Sequence, residues 1–364
     1  MPPVKKILFF VPCTPYFPSG IVRVEQFLSL LEKDGYAYEL INMIHPRSQM
    51  LLERLDRSAW GKRKITDFVI RAAIHLVFLP NQYLQMLKVA ARATDFDLIF
   101  IQSNLMPAVV VDFIQRKNPR IIYDFDDAVF LRNQARAIHI ISKAWKVFAG
   151  SHFNLEFARR YNPASILIPS AVDLQDYPPL TANPERADPI RIGWIGGAST
   201  LKYLRHLVSP LENLARKGYH LQFLVTGSRG SEKLIPSMQG VAQKVIEEYT
   251  HAEIPSLADK MDIGVMPLDD GPWEKGKCGL KLLIYMAAGK PCLSSPVGEN
   301  QIIIRDGENG FLASSAQEWE QKMEALISNQ DLYQRIARQG RKTVEEHYSV
   351  IKVYELIRAE LVDA

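Results

Sequence analysis

Cysteine is scarce in this chain. Three occur in 364 residues, Cys13, Cys278 and Cys292, and no two form a Cys-x-x-Cys pair. That excludes a disulfide framework or a structural zinc site and suits the reducing cytosol. No apolar run reaches the ~18 residues of a membrane span. The opening Met1–Lys6 lacks the apolar region and small-residue cleavage site of a signal peptide, so a cytoplasmic location is expected. No two histidines stand at metal-ligand spacing with a third ligand, and Ser170, Ser294 and Ser295 sit in no nucleophile-elbow pattern. No repeat of fixed period is visible. An apolar fraction of 47% with 23% charged residues excludes disordered, collagen-like and coiled-coil chains.

What is present is β/α alternation, in a chain long enough for two domains at ~150 residues each. Apolar runs predict strands at Lys5–Val11, Ala37–Ile41, Leu98–Gln102 and Arg120–Tyr123. A helix is expected from near Ile21, with Val24, Phe27, Leu28 and Leu31 at helical spacing and Gly35 closing it. Residues 45–94 read as helical and basic. Five prolines, at 169, 178, 179, 184 and 189, mark residues 170–189 as the linker. Strands then return at Ile190–Ile195, Leu221–Val225, Asp262–Met266 and Leu293–Ser295. Ser209–Glu212 has a capping-box pattern. A helix from Leu280 should stop at Gly289, before Pro291. The expected architecture is α/β, with two doubly wound units, 1–169 and 190–343. A last helix, about 344–364, is expected to pack back on the first. In such domains ligands lie at the carboxyl ends of strands.

Three constellations could carry chemistry. In the first, a glycine-rich loop over 271–279 feeds a helix near Lys277 and Lys281. Cations at a helix N-terminus oppose its dipole by ~0.3–1 kcal/mol, so lysines there make sense if a phosphate lies between them and the helix. Four residues apart, they would share a face; the plain alternative is two solvated lysines near a turn. The second is the loop Gly193–Thr200, where Gly196 and Gly197 let backbone approach a ligand and Thr200 offers a hydroxyl, or which is simply a tight turn. The third is Asp124, Asp126 and Asp127 at a strand end. These could hold a divalent cation, accept a substrate proton or cap the next segment.

Charge is uneven. Residues 1–182 hold 22 Lys and Arg against 16 Asp and Glu. Arg54, Arg57, Lys62, Arg63, Lys64 and Arg71 stand among apolar residues there. That run could be a solvated face, a surface for anionic lipid or a groove for an acidic acceptor. Nucleic acid is not expected, since no interleaved aromatic and basic platform appears.

Ile192–Thr200, Asp262–Leu268, the 276–291 stretch, Ser295–Asn300 and Asp306–Leu312 follow one another in order. Together they resemble the donor domain of the retaining, GT-B-fold glycosyltransferases of family 4, the group 1 transferases. The resemblance covers about 190–345. It implies two Rossmann-like domains facing each other across a cleft, a nucleotide sugar (UDP- or GDP-linked) bound mainly by the second, transfer with retention and no essential metal. It puts Lys281 at a phosphate-contacting position and Gly279 at the helix-start glycine. The family's Glu-x7-Glu pair aligns with Gly276 and Ile284, so both carboxylates are absent here.

In this reading Lys281, with Lys277, stabilises a departing diphosphate, while Gly196, Gly197, Thr200 and Gly279 shape the donor site. Gly20, Arg23, Asp126 and Asp127 stand on the acceptor side. Arg23 meets an acceptor phosphate, and Asp126 orients the acceptor hydroxyl. The acceptor is expected to be a glycan or lipid-linked glycan of the cell envelope, reached at the inner face of the membrane. Two alternatives stand beside it. One is a magnesium-dependent phosphohydrolase resembling the haloacid dehalogenases, with Asp124 as nucleophile and Asp126 as acid/base. The other is a non-catalytic nucleotide-sugar-binding protein.

Overall fold

A computed structural model describes residues 6–12, 18–43, 79–178 and 188–362. The basic run Arg54–Arg71 lies outside the described residues. The chain divides into two compact units, residues 1–169 with 356–364, and residues 170–355.

The first unit is built on six parallel strands: β1 (Lys6–Val11), β2 (Ala37–Asn42), β3 (Leu98–Gln102), β4 (Ile121–Phe125), β5 (Lys146–Ala149) and β6 (Ser165–Leu167). Their order is β2-β1-β3-β4-β5-β6, so the chain changes direction across the sheet between β1 and β3. β3, β4 and β5 are buried along their whole length, as parallel strands covered on both faces must be. The expected strands all form. β5 and β6, four and three residues long, are too short to leave a periodic signal.

The expected first helix is broken. Helical turns span Pro18–Arg23, Glu25–Phe27 and Leu28–Lys33, with Val24 at φ −133° between the first two. Val22, Arg23 and Val24 are all buried. Three consecutive side chains on a helix sweep about 200° of its surface, so an unbroken one-faced helix cannot bury them all. Gly20 lies inside the first helical piece. The last helix, Val350–Val362, gives its residues from 356 onward to this unit. There Lys146 donates to the Glu360 carboxylate at 2.8 Å, and Ile357 and Leu361 line an apolar gap with Phe9 and Phe100.

The second unit also has six parallel strands: β7 (Ile190–Ile195), β8 (Leu221–Thr226), β9 (Ala242–Ile246), β10 (Ile263–Met266), β11 (Cys292–Ser294) and β12 (Phe311–Leu312). The order β12-β11-β10-β7-β8-β9 is the doubly wound one, with its switch point between β7 and β10. β9 escapes the pattern because its first three residues are exposed and Gln243 and Lys244 interrupt its apolar residues.

Two local expectations are corrected. The capping box at Ser209 does not form: a ten-residue 3-10 segment, Ala198–Leu207, runs directly into the helix Val208–Arg216. With helix already running upstream, no orphan amide awaits a cap there, and Glu212 instead accepts from the Gln239 amide. The start of the expected linker is folded into the second unit. Val172 exchanges backbone hydrogen bonds with Tyr348 and Val350, and Tyr177 is buried.

Candidate functional site

In the second unit the site grows from the carboxyl end of β7, at the switch point. The strand ends in Trp194 and Ile195, both buried, and the chain turns through Gly196 and Gly197. A Cβ on Gly196 would lie 2.2 Å from the Trp194 ring, whereas one on Gly197 would meet nothing within 4 Å. Only Gly fits the first position; the second is open. The Thr200 hydroxyl turns back on this loop, donating to the Gly197 carbonyl at 2.8 Å. Its observed work is to brace the turn. The Tyr249 hydroxyl donates to the Gly196 carbonyl at 3.0 Å, and Tyr285 accepts from the Ile195 amide at 2.9 Å.

Across the switch point, the loop after β10 leads to the helix Leu280–Ala287. Its N-cap is Gly279 at φ +67°, the left-handed region that glycine enters without penalty. A Cβ there would also lie 2.3 Å from Ile303 Cδ1. Because the helix begins at Leu280, Lys277 precedes it, and the two lysines share no helix face. Lys277 Nζ lies 5.8 Å from the Trp273 ring centroid and Lys281 Nζ 5.2 Å from that of Trp194. Gly196 and Lys281 therefore meet on one indole.

The sequence pattern gave no warning of Glu274, two positions before Gly276. Its side chain is buried, accepts from the Tyr203 hydroxyl and lies 3.8 Å from Lys202 Nζ. Burial first, and the Glu274 bond second, raise the Tyr203 phenol above its ordinary pKa. The loop is thus anchored by a buried carboxylate, a role detectable only from the folded contact. Other motif residues are structural. Asp262 receives a bidentate grip from Arg191, at 3.0 and 2.7 Å. Asn309 ties its loop to Ile303 and Thr343.

In the first unit the three aspartates part company. Asp124 and Arg23 are both buried, joined by two hydrogen bonds, Nε to Oδ2 and Nη2 to Oδ1. Arg23 Nη1 also donates to the Ile168 carbonyl at 2.6 Å. Burial pushes the Asp124 carboxyl up to about 6 against the pull of that guanidinium. This corrects two expectations. Arg23 is committed to Asp124 and Ile168, not offered to an acceptor phosphate. Asp124 is walled in by its partner, so the phosphohydrolase reading loses its nucleophile.

Asp126 is half-buried. Its Oδ2 accepts from Ser19 at 2.5 Å and its Oδ1 from Ser103 at 3.0 Å, and Gln102 donates to Ser19 at 2.6 Å. Ser103 stands at φ +51°, uncommon for a residue with a Cβ. Neighbouring Asp127 is half-buried, and its carbonyl accepts from the Val129 amide. Among the described residues no group of three His, Cys, Asp or Glu converges as metal ligands. Among them, too, no helix is long and apolar enough to cross a membrane.

Comparison with known proteins now gives these groups a context. Residues 189–329 match the family described as glycosyl transferases, group 1. Comparison with curated proteins gives no match. Among solved structures, the Anabaena protein HepE in complex with UDP and glucose is similar over 99% of this chain and 100% of its own, with TM-score 0.68 at 16% identity. A glycosyltransferase from Rickettsia africae is similar over 98% of both chains (TM-score 0.67, 17% identity). Sucrose-phosphate synthase from Thermosynechococcus elongatus covers 99% of this chain and 100% of its own (TM-score 0.68, 14% identity). At these identities the likeness is one of fold, and that fold is GT-B, with two parallel six-stranded sheets.

Proposed function

We propose, from the group 1 glycosyltransferase domain at residues 189–329, that the protein transfers a hexose-type sugar from a nucleoside diphosphate sugar to an acceptor hydroxyl. The carrying observation is that match, spanning a helix whose left-handed Gly279 cap and first-turn Lys281 suit a diphosphate. In this reading the N-terminal end of the helix after Gly279 and the Lys281 ammonium meet the leaving diphosphate. Charge grows on that group as the glycosidic bond breaks, and preorganised donors lower the barrier most when aimed at it. The open side of Gly197 lets the sugar or phosphate approach the backbone. Glu274 and Tyr203 hold the loop that leads to the lysines.

UDP is the nucleotide we favour, because HepE, of like fold, is described in complex with UDP and with UDP-glucose. Retention of configuration, membership of family 4 and independence from metal come from the sequence resemblance. So does an acceptor in cell-envelope polysaccharide or lipid-linked glycan synthesis. Contact with an anionic membrane at its cytoplasmic face rests on the basic run Arg54–Arg71; vesicle flotation that shows no binding even at low salt would remove it.

The test is a thermal-shift series with UDP, GDP, ADP and TDP on the full chain, followed by their sugars. A nucleotide at 100 times its Kd stabilises by about 2.7 kcal/mol, so the right one stands out. No shift with any of them overturns the proposal. Binding without turnover over a panel of acceptors would favour a non-catalytic nucleotide-sugar binder.

A further inference from the structure

Three helices of the first unit share one side of its sheet. The steps from β2 to β3, β3 to β4 and β4 to β5 all advance the same way across the order β2-β1-β3-β4-β5-β6. Parallel crossovers are right-handed, so the helices leading into β3, β4 and β5 lie over the same face. They are the helix over 79–92, Ala108–Lys117 and Gln134–Lys143. Lys117 Nζ donates to the Ala91 carbonyl at 3.3 Å, and His139 pairs with Asp112 at 2.8 Å, so each helix touches the next.

The outer side of this layer is unusually apolar. The helix over 79–92 buries Gln85, Met86, Val89 and Ala90 on one arc. At about 100° per residue, Leu84 and Leu87 fall on the opposite side, and they are 52% and 58% exposed. On Ala108–Lys117, Val111 and Ile114 fill the buried side, while Val109 and Phe113 are 71% and 44% exposed. The two helices run parallel. One turn back from the contact between Lys117 and Ala91, position 113 stands level with 87; one turn further, 109 stands level with 83. Leu84, Leu87, Val109 and Phe113 therefore make one outward patch, unlike the scattered single apolar residues of an ordinary surface.

Charge around the patch has one sign. Lys88, Arg116, Lys117, Arg136 and Lys143 are exposed on the same three helices. The single acid on them, Asp112, is paired with His139, and Arg92 is paired with Glu39. A second copy of this face, docked across a two-fold axis, would set those cations against one another. An anionic bilayer complements both parts, acyl chains taking the apolar side chains and headgroups the cations.

We propose that this helix layer lies on an anionic membrane surface. Leu84, Leu87, Val109 and Phe113 enter the boundary between headgroups and acyl chains, and Lys88, Arg116 and Lys117 meet lipid phosphates. The proposal rests on the reading of an anionic membrane contact and adds to it a face and a mode. Attraction to Arg54–Arg71 is electrostatic and screened by salt, whereas apolar insertion is not.

The experiment is flotation of the full chain with vesicles of phosphatidylcholine alone and of phosphatidylcholine with phosphatidylglycerol. The wild type should float with the anionic vesicles. Leu87→Ser with Phe113→Ser, checked for an unaltered melting temperature and UDP affinity, should bind them more weakly by about tenfold or more. Lys88→Gln with Arg116→Gln should weaken binding about fivefold per charge removed. In Leu87→Trp, brominated lipid should quench the added indole emission. Undiminished binding by the serine variant, or Leu87→Trp emission untouched by brominated lipid, overturns this face while the membrane contact itself stands. A wild type that ignores anionic vesicles removes both. A dimer that the serine variant dissolves, with no vesicle binding, assigns the face to a second copy and likewise overturns the proposal. UDP titrated separately reports on the donor reading, which none of these outcomes touches.

Discussion

Lys281 carries its ammonium 5.2 Å from the centroid of the Trp194 ring, the same ring that leaves room only for glycine at 196. The indole thus fixes the glycine loop and steadies the cation through its electron-rich face. Replacing Lys281 by Ala should lower transfer by about 10²–10³-fold, the usual loss for a donor aimed at developing charge. The melting temperature should barely change, because the side chain is not part of the core. Trp194→Phe keeps an aromatic face and should cost only about 0.5–1 kcal/mol in transition-state stabilisation. Steady-state kinetics check both, and near-normal turnover of Lys281→Ala would remove the phosphate role.

The adjacent glycines should answer differently to the same change. Gly196→Ala drives a methyl into Trp194 and should lower the melting temperature, by the roughly 1–3 kcal/mol of an overpacked core. Gly197→Ala has space in the folded protein and should melt like the wild type. If a ligand approaches the backbone at 197, that variant should nonetheless bind its nucleotide sugar more weakly. Unchanged binding by Gly197→Ala would move the ligand away from this loop.

The buried pair Arg23 and Asp124 is expected to hold the first unit together. Arg23→Met or Asp124→Leu alone leaves a charge without its partner and should cost about 3–5 kcal/mol. The double variant should lose less than the two single losses combined, with a coupling of about 0.5–3 kcal/mol. Urea unfolding of the four proteins measures this. Additive losses would mean the pair does not act as a unit.

Transfer should survive EDTA. Lysines and helix amides are the groups assigned to the diphosphate, so removing divalent ions leaves that charge balance unchanged. A radiolabelled-sugar assay with and without chelator decides it. Full loss with EDTA, restored by magnesium, would sink the metal-free mechanism.

How far the sequence reached can be judged from particular residues. Eight of the twelve parallel strands announced themselves as apolar runs, because strands covered on both faces are apolar throughout. Gly279 was legible as the start of a helix, and Gly196 as a turn, since backbone freedom is a property of the residue itself. The short strands β5, β6 and β12 and the exposed strand β9 were not legible, while β10 and β11, equally short, stood out between turn residues.

Function-bearing side chains divide along the same line. By itself the sequence determined the alternation of elements, the glycine turns and the presence of lysines beside a helix start. Tertiary structure alone decided which of the clustered charges are available. Arg23 and Asp124, 101 positions apart, neutralise each other in the core, while Asp126, two residues from Asp124, stays half-buried among hydroxyls. Gly196 and Lys281 reach the same indole from opposite sides of the switch point. Local sequence governs backbone conformation through propensity, but burial and partnering depend on residues distant in the chain. Those two conditions make one aspartate a strut and its neighbour a candidate for chemistry.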